Sequence, residues 1–576
     1  MTNYSKLNNL LGWLTFLISA IVYTLTMERS VSYWDCGEFI ASVYKLQVCH
    51  QPGAPLYLII SKLLSLFAND VTQVAWWINV GSAIASAATI MFLFWTITHL
   101  AKKLLNTDQR LDTIQTITIF GAGLTGALAY AFSDTFWFSA VEAEVYALSS
   151  LFTAITFWAI LKWENEADQP RANKWLLFIA YLIGLSIGVH LLNLLAIPAV
   201  GMIYYFKKIN KGWKGALLAF TLSCLILVFI QYGVIPGSVS LAAKFELLFV
   251  NSMSLPFGSG VAFFIILLIT GFVWILRYSV KKQKVWLNTA VLSLCFIYIG
   301  YTSYALIIIR ANADTSLNNT SPDNVFSFLK YLNREQFGAT DELLSGPTFA
   351  SKVYYKKSDE NIYAKGETQY DIVGKKYEKQ IADGQKMLFP RIASQEHESF
   401  YRSWLNKPSG NPTFSDNVNY FTTYQLGHLY WRYFMWNFAG RQNNIQGEGE
   451  VNKGNWLSGI KPIDAIRLGD QSQLPPSILG NEAYNRLFFL PLLLGIVGLI
   501  YQLKRNSKDF IATGLLFLFT GIAIIVYLNQ APLQVRDRDY AYAASFYAFA
   551  IWIGLGVLFV KDFLARPWSN VAMAGL

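Results

Sequence analysis

Long apolar runs constrain the fold of this chain more than any other feature. A helix that crosses a bilayer needs about 20 mostly apolar residues, and lipid offers its peptide groups no hydrogen-bond partners. Such runs recur in both the N-terminal and the C-terminal parts of the 576 residues. They predict a mostly α-helical, polytopic membrane bundle of about twelve spans, near residues 10–27, 75–100, 113–132, 146–163, 175–189, 191–206, 215–235, 258–279, 286–308, 486–503, 509–528 and 542–562.

The distribution of charge predicts the orientation of this bundle. Only 14% of the residues are charged, whereas a soluble domain carries about 25%. The net charge of +10 comes largely from basic residues in short loops, around Lys102, Lys207, Lys281 and Lys504. This is the pattern of cytoplasmic loops, so it predicts topology rather than a nucleic-acid partner. No small-residue cleavage site follows run 10–27, so we expect a retained span and cytoplasmic termini.

A long polar stretch divides the chain into three predicted parts. Residues 1–309 form a transmembrane catalytic bundle that includes a first outer loop, 28–74. Residues 310–484 form a mixed, mainly helical domain on the non-cytoplasmic side, and residues 485–576 form the C-terminal spans. Within the first outer loop, Cys36–Val48 and Leu56–Phe67 predict short interfacial helices separated by the turn His50–Pro55. Segment 237–256 is predicted to be another interfacial element.

Several chemical classes are absent from the sequence. The four cysteines are too few for a disulfide framework, although Cys36 and Cys49 share the first outer loop and could pair if that side is oxidising. No phosphate-binding Gly-rich loop, dinucleotide-binding fingerprint or zinc spacing is present. We therefore predict no cofactor and no nucleotide.

Ionisable residues collect at the outer ends of the predicted spans. Charges at a membrane boundary are costly and mark functional sites. Five outer turns deliver such side chains to one face, which predicts a site there. The residues are Asp35, Glu38 and His50; Asp134, Glu142 and Glu144; His190 and Asn193; Arg310; and Arg536, Asp537, Arg538 and Asp539.

Asp35 and Glu38 have two possible roles. Asp35 would sit at the N-terminus of the first interfacial helix, where a carboxylate can cap free N–H groups. It could instead be a general base that accepts a proton from a hydroxyl. Metal binding by the pair is a weak hypothesis, because no His-x-Glu spacing lies nearby, and we expect no metal.

The two histidines and the second acidic pair also leave alternatives open. His50 either packs at a rigid turn or contacts substrate, and His190 is either a buried structural histidine or a ligand. Glu142 and Glu144 lie two residues apart, so on a helix at most one would face a shared pocket.

Arginines near the outer boundary have two interpretations as well. Arg536 and Arg538 either pair locally with the neighbouring aspartates or clamp a lipid phosphate, since guanidinium groups bind phosphate with two hydrogen bonds. The aromatic run YWRYFMWNFAGRQNN is more typical of packing, with Arg432 and Arg441 as possible ligand contacts.

Six motifs together resemble one known family. WDCGEFIASVYKLQVCHQPGAPLY resembles the first-loop signature of bacterial glycosyltransferase family 117, whose animal relative is a protein O-mannosyltransferase of the secretory pathway. Later blocks follow in the same order: SDTFWFSAVEAEVYALSS, GLSIGVHLLNLL, YLNREQFG, YWRYFMWNFAGRQNN with IQG, and RDRDYAYAASFYAFAIWIGLGV. The sequence departs from the family at Gln51, where proline is usual, and it stops at Leu576 although bacterial relatives are often longer.

The resemblance implies a GT-C type glycosyltransferase that uses a polyprenyl-phosphate sugar donor on the non-cytoplasmic face. It implies that Asp35 is the catalytic base with Glu38 as its neighbour, and that cationic groups hold the leaving phosphate. The predicted substrate-binding and donor-phosphate-binding residues are His50, Glu142, Glu144, His190, Arg310, Arg536, Arg538 and Asp539; possible ligand contacts are Tyr33, Asn193, Arg432 and Arg441.

We therefore expect transfer of a mannose-like hexose to Ser or Thr hydroxyls of exported proteins, at the periplasmic face of a bacterial inner membrane. The expected partners are the lipid-linked donor, the acceptor protein and membrane lipid. A glycan or lipid acceptor is the first alternative. A transporter of lipid-linked sugar is a weaker one, because transporters place charges near the midplane and often have repeat symmetry.

Overall fold

The computed structural model describes residues 2–105, 111–338 and 343–565, and most of these residues are helical. The N-terminal part contains fourteen α-helices within the described ranges. They are α1 Thr2–Thr26, α2 Cys36–Lys45, α3 Pro55–Ser65, α4 Val74–Leu104, α5 Thr113–Ala131, α6 Asp134–Ala140, α7 Val145–Glu166, α8 Asn173–Ile187, α9 Ile197–Lys208, α10 Gly212–Val228, α11 Ser238–Leu247, α12 Ser259–Lys281, α13 Val285–Tyr301 and α14 Ala305–Asn312.

The remainder of the chain adds a polar region and a final group of helices. The polar region contains α15 Val325–Leu332, β1 Ser345–Gly346, β2 Val353–Lys365, β3 Tyr370–Ile381, β4 Met387–Leu388, α16 Glu398–Trp404, α17 Phe414–Tyr420, α18 Arg432–Phe438, α19 Lys461–Leu468 and α20 Pro476–Leu479. The final helices are α21 Leu490–Arg505, α22 Ser507–Phe519, α23 Ile522–Leu528 and α24 Ala543–Leu564. The two short helices predicted in the first outer loop are thus present as α2 and α3.

Nine helical segments in the described part of the chain are long and apolar enough to cross a membrane, so this is a multi-pass membrane protein. Three of the predicted spans, near 175–189, 191–206 and 486–503, correspond to the shorter helices α8, α9 and α21. The 15 residues of α8 span about 22 Å at 1.5 Å per residue, which is less than a hydrocarbon core of about 30 Å. The predicted count of twelve spans is therefore not confirmed.

Most of the segment 237–256, predicted to be a separate interfacial element, is helix that continues from the span before it. One helical segment runs from Gly212 to Ser252 through α10, α11 and two π-helical stretches, Phe229–Gly237 and Leu248–Ser252. Pro236 lies inside the first π-helical stretch. Proline removes one helical hydrogen bond, but a local widening of the turn lets the helix continue.

An antiparallel hairpin of β2 and β3 is the main non-helical feature of the polar region. Its closed end rests on the outer end of the bundle, where the Tyr370 hydroxyl donates to Glu246 Oε1 at 3.2 Å. The same carboxylate accepts hydrogen bonds from the first N–H groups of α12, and Asn251 bonds the Tyr370 backbone. The polar region is thereby fastened to the bundle at a defined place.

Helix α24 forms the centre of the bundle, with buried side chains on almost every face. It packs closely on α5, because a Cβ atom on Gly126 or Gly554 would come within 2.6 Å of a backbone carbonyl of the facing helix. Small residues of this kind let membrane helices approach each other. The approach fixes the segment before α24, which carries Arg536 to Asp539, over the outer ends of the bundle.

Candidate functional site

The two predicted catalytic carboxylates of the first outer loop, Asp35 and Glu38, differ in exposure and in their partners. Asp35 precedes α2, but its side chain makes no capping hydrogen bond and is 50% exposed. The Asp35 side chain therefore does not cap α2. Glu38 is occupied by His50, which donates its backbone N–H at 2.6 Å and places Nδ1 2.7 Å from the other oxygen. Asp35 is the carboxylate that a substrate can reach.

Both acidic residues of the second outer loop lie beside Cys36, with their carboxylate oxygens and its sulfur within 4.8 Å of one another. Glu142 and Glu144 precede α7 in a non-helical turn, so the helical spacing that predicted only one inward side chain does not apply. Glu142 Oε2 accepts hydrogen bonds from Ser32 Oγ at 2.9 Å and from Cys36 Sγ at 3.7 Å. Glu144 Oε1 accepts one from Arg536 at 3.2 Å.

Arg536 lies between two carboxylates rather than facing open space. Its Nη2 is 3.5 Å from Asp35 Oδ2 and 3.2 Å from Glu144 Oε1. The guanidinium also stacks against Tyr540 at 4.7 Å and Trp34 at 5.7 Å, and its side chain is only 11% exposed. The structure thus places Arg536 as the partner of Asp35, and a phosphate would have to compete with two carboxylates for it.

Burial sets the protonation of the carboxylates in this half of the site. It raises the pKa of Glu142 to about 6, and burial together with the neighbouring Glu142 raises the pKa of Glu144 to about 7. Burial alone would raise the pKa of Glu38, but the hydrogen bonds from His50 lower it below its ordinary value. The contact with Glu38 raises the pKa of His50 in turn. Each member of the Glu38–His50 pair therefore favours the charged form of the other.

The thiol in the same half stays protonated. Burial raises the pKa of Cys36, and the charges of Glu142 and Glu144 add to this effect. Cys36 and Cys49 are both buried, free cysteines, so they do not form the disulfide that the sequence allowed.

The opposite half of the site is cationic and carries free donors. Among the described residues, the buried Arg538 Nε has no hydrogen-bond partner and no carboxylate pairs with its guanidinium. His190 packs on Tyr146 with ring centres 5.3 Å apart. Burial, and then the charge of Arg334, lowers the pKa of His190 to about 4. The imidazole is neutral, and its Nδ1 accepts the N–H of Leu192 at 3.3 Å.

Tyr146 joins the two halves. Its ring stacks on Tyr540 at 4.3 Å, and Tyr540 lies under Arg536. Tyr146 also lies within electrostatic range of Arg334. Arg334 belongs to the motif YLNREQFG and was not predicted as a site residue. Its polar segment has no periodicity that would have indicated its direction, and the only sequence signal was a basic residue inside a family motif.

The residues of the RDRD segment have different partners. Arg536 contacts the site carboxylates, whereas Asp537 and Asp539 accept hydrogen bonds from other side chains and hold the segment in place. Asp537 Oδ1 accepts hydrogen bonds from Arg432 at 2.7 Å and from Tyr433 at 2.9 Å. Asp539 Oδ2 accepts one from Thr135 at 2.6 Å. The structure therefore gives Asp539 and Arg432, both predicted as ligand contacts, positions in the support of the segment.

Four other predicted residues lie apart from the carboxylates. Arg310 donates to the carbonyls of Lys45 and Leu46 at the end of α2, at 3.2 and 2.6 Å. Arg441 stacks on Trp436 at 3.8 Å. The buried Asn193 donates to Ser186 Oγ, and Tyr33 is 83% exposed. Packing or capping contacts account for the first three positions, and Tyr33 lies at the surface beside Trp34.

Gln51, the departure from the family pattern, joins the first outer loop to the polar region. Its side chain is 1% exposed. Nε2 donates to Thr320 Oγ1 at 3.0 Å, and Oε1 accepts the N–H of Gln336 at 3.4 Å. The hydroxyl of Tyr331 donates to the carbonyl of Cys49 at 2.6 Å. The segment that carries Arg334 is thus anchored on the turn after α2.

Among the described residues, two groups of side chains offer atoms that could hold a metal ion. One group is Asp35, Glu38 and His50, and the other is Cys36, Glu142 and Glu144. Within each group, the ligand atoms lie within 4.8 Å of one another. Arg536 contacts one carboxylate of each group and already supplies positive charge there, which weakens the attraction for a cation. The expectation that no metal takes part stays a prediction.

Comparisons with known proteins cover the N-terminal part of the chain. Residues 35–213 match the family described as Protein O-mannosyl-transferase TMEM260 N-terminal domain. The N-terminal part of this chain is similar to that domain. The matched range begins at Asp35 and includes Glu38, His50, both glutamates of the second outer loop and His190. A second match, over residues 339–422, is to a family of unknown function (DUF8416).

Two curated relatives carry the same description. The mouse (Mus musculus) Protein O-mannosyl-transferase TMEM260 is 27% identical over 173 residues, which cover 30% of this chain and 22% of the relative. The relative from Dictyostelium discoideum is 25% identical over 219 residues, or 36% and 24% of the two chains. The matches thus span about a quarter of the relatives. No solved structure matches, and membership of the bacterial family stays a prediction.

Proposed function

We propose that this protein is an integral-membrane glycosyltransferase of the GT-C type. It transfers a hexose, mannose-like by analogy with its relatives, from a polyprenyl-phosphate donor to Ser or Thr hydroxyls of exported proteins. The observation that carries the proposal is the half-exposed carboxylate of Asp35, which lies 3.5 Å from Arg536, together with the buried Nε of Arg538 that has no partner among the described residues. The relatives named protein O-mannosyl-transferases support sugar transfer to protein.

The two halves of the site have complementary roles in this reaction. The acceptor hydroxyl binds Asp35 and gives it a proton as its oxygen attacks the anomeric carbon. The bond from that carbon to the phosphate oxygen breaks, and the polyprenyl phosphate leaves with one additional negative charge. Because the transition state resembles an oxocarbenium ion with charge growing on the phosphate, oriented donors at that oxygen lower the barrier. Arg538 occupies such a position, and His190 shapes the wall beside it.

Arg536 supports the base rather than the leaving group. It supplies positive charge beside both Asp35 and Glu144, and its hydrogen bond favours the ionised form of Glu144. The contact with Arg536 also fixes the position of the Asp35 carboxylate that accepts the hydroxyl proton. No cofactor is needed, because the lipid-linked sugar is itself the activated substrate.

The charge distribution supports a site on the periplasmic side of a bacterial inner membrane, with both termini in the cytoplasm. Lys102, Lys207, Lys281 and Lys504 lie in loops that alternate with the outer turns, as expected for cytoplasmic loops. Asp35, Glu142 and Arg536 lie in the outer turns. A donor anchored in the outer leaflet could then enter from lipid while the acceptor arrives from water.

The acceptor is best identified by comparing native products. Glycopeptide mass spectrometry of exported proteins, in cells with and without this gene, should show hexose on Ser or Thr that disappears in its absence. Re-expression of the wild-type protein should restore it. A loss confined to a glycan or glycolipid would favour the alternative acceptor, and accumulation of lipid-linked sugar on the cytoplasmic side would favour a transporter. Unchanged products in every fraction would contradict the proposal.

A further inference from the structure

Arg334 adopts a backbone conformation that few residues with a side chain adopt. It lies between α15 and a 3₁₀ turn, Glu335–Phe337, with φ of 57° and ψ of 34°. The left-handed region is unfavourable for residues with a Cβ atom, and such residues persist where the surroundings hold them in place and cluster at ligand sites. The conformation alone assigns no role to Arg334, and the surroundings of its side chain decide which role it has.

The guanidinium of Arg334 has no counter-charge among the described residues. No hydrogen bond or ion pair of its side chain occurs there, and its closest ring contact is Phe337 at 5.1 Å. The groups that act on it electrostatically are Tyr146, Tyr527 and Arg538. Although the side chain is exposed, desolvation by the surrounding protein, and then Arg538, lowers the pKa of Arg334. Arg334 and Arg538 thus lie within electrostatic range of each other, and no carboxylate among the described residues pairs with either guanidinium.

The surrounding contacts fix the position of Arg334. The Tyr331 hydroxyl anchors the end of α15 on Cys49, and Gln51 accepts the backbone N–H of Gln336. On the other side, Lys376 of the hairpin lies 3.7 Å from Glu335. The segment is therefore braced on both flanks, and Arg334 is presented without a partner. Such preorganisation is what a ligand-binding cation requires.

We propose that Arg334 is a phosphate-binding residue and that it holds, together with Arg538, the phosphate of the lipid-linked donor. This assignment rests on the proposed function. The charges match: a sugar phosphodiester carries one negative charge and the released phosphate monoester carries up to two, and two unpaired guanidinium groups supply two positive charges. A guanidinium binds a phosphate with two hydrogen bonds. Gln51 is a positioning residue that keeps Arg334 in place.

Direct binding of polyprenyl monophosphate to the purified protein in detergent tests this assignment without requiring sugar transfer. Arg334→Gln should weaken binding of the lipid phosphate by about tenfold or more, which corresponds to about 1.4 kcal/mol. Arg334→Lys should retain part of the affinity because it keeps the charge. Arg486→Gln is the matched control, since Arg486 is exposed and its Nε bonds Tyr484, and it should bind like the wild type.

The outcomes separate this assignment from the proposed function. Unchanged lipid-phosphate affinity in a folded Arg334→Gln protein, checked by its thermal transition, would overturn the role of Arg334 even if the wild type transfers sugar. Weakened binding in that variant supports the role even if the wild type transfers no sugar to protein.

Inorganic phosphate is the second probe. If it binds as tightly as the lipid phosphate and its binding depends on Arg334 in the same way, a free-phosphate site replaces the lipid-phosphate site. If Arg334→Gln fails to fold, the affinities of Arg334→Lys and Arg538→Gln for the lipid phosphate are compared with that of the wild type instead. Unchanged affinity in both of these variants would overturn the shared phosphate site.

Discussion

Two charged clusters at opposite ends of the bundle differ in how completely they are paired. At the inner end, Lys103 Nζ lies 2.7 Å from Glu164 and 2.8 Å from Asp509, which joins α4, α7 and α22. At the outer end, Asp35 is half exposed and Arg538 has no partner among the described residues. The inner cluster resembles a structural ion pair, whereas the outer cluster leaves groups free for a ligand. The variants below test whether that difference separates stability from function.

The largest expected effect is the loss of sugar transfer on neutralising Asp35. Asp35→Asn removes the proton acceptor but keeps the size and hydrogen-bonding shape of the side chain. A general base contributes about 10²–10⁴-fold to a rate, so we expect transfer to fall by about a thousandfold. The thermal transition should not change, because Asp35 caps no helix.

Asp70→Asn is the control for that variant. Asp70 belongs to the same outer loop and accepts hydrogen bonds from Thr72, so the same chemical change occurs away from the proposed site. Transfer at the wild-type rate by Asp35→Asn would remove the catalytic assignment. An equal loss in both variants would indicate a general effect on the loop instead.

Part of this site could be predicted because the ends of apolar runs are visible in a linear sequence. Asp35 and the RDRD segment were placed at the outer boundary by that rule, and the structure brings them together. The direction of each side chain could not be predicted. From the sequence, Arg536 and Arg538 are equivalent. In the structure, Arg536 contacts Asp35 and Glu144, while Asp537 and Asp539 hold the segment in place.

Turns and polar segments were the main source of error in the sequence predictions. Both Glu142 and Glu144 face inward because α7 begins only at Val145, one residue after the pair. The hairpin of β2 and β3 was missed since its strands carry mostly exposed, charged side chains and no clear apolar alternation. Arg334 was missed because tertiary contacts from Gln51 and Tyr331 decide its position.

A large loss of stability is expected from opening the inner cluster. Lys103→Met leaves the carboxylates of Glu164 and Asp509 without their cation, with side chains 16% and 6% exposed. Removing one partner of a buried pair costs about 3–5 kcal/mol, and the partial exposure of Lys103 reduces this to about 2–4 kcal/mol. Thermal unfolding in detergent measures the effect, and the donor KM of the remaining folded protein should not change.

Lys174→Met is the matched comparison for the inner cluster. Lys174 pairs with Glu166 at 3.1 Å, but its side chain is 59% exposed, and surface pairs contribute about 0–1 kcal/mol. If both lysine variants unfold at the same temperature, the ion pairs of the inner cluster do not stabilise the fold more than a surface pair does. If Lys103→Met instead changes donor use without lowering the unfolding temperature, the inner cluster contributes to function rather than to stability.

A smaller effect concerns pH. The folded protein raises the pKa of Glu144 to about 7 and that of Glu142 to about 6, above an unfolded value of about 4.3. Between these limits the folded state binds more protons than the unfolded state, so stability falls as pH rises from about 4.3 to about 7. Glu144→Gln removes this penalty and should stabilise the protein more at pH 8 than at pH 5, by up to about 3 kcal/mol.

Thermal transitions of the wild type and Glu144→Gln across pH 5 to 8 give this measurement. Glu448→Gln is a useful comparison, since burial also raises the pKa of Glu448 in the polar region, away from Arg536. A Glu144→Gln protein with the same pH slope as the wild type would mean that Glu144 is ionised throughout, held by Arg536.

The smallest expected effect is that of a chelator. The ligand atoms of Asp35, Glu38 and His50 lie within 4.8 Å of one another. A divalent cation is therefore the main alternative to Arg536 as the positive charge beside Asp35. Because Arg536 already contacts Asp35 and Glu144, prolonged EDTA treatment should change the transfer rate by less than about twofold. A strong loss that added Mn²⁺ or Mg²⁺ restores would assign Asp35 to a metal site. In that case Asp35→Asn would abolish transfer through lost metal binding, and a measurement of bound metal in that variant would distinguish this from loss of the base.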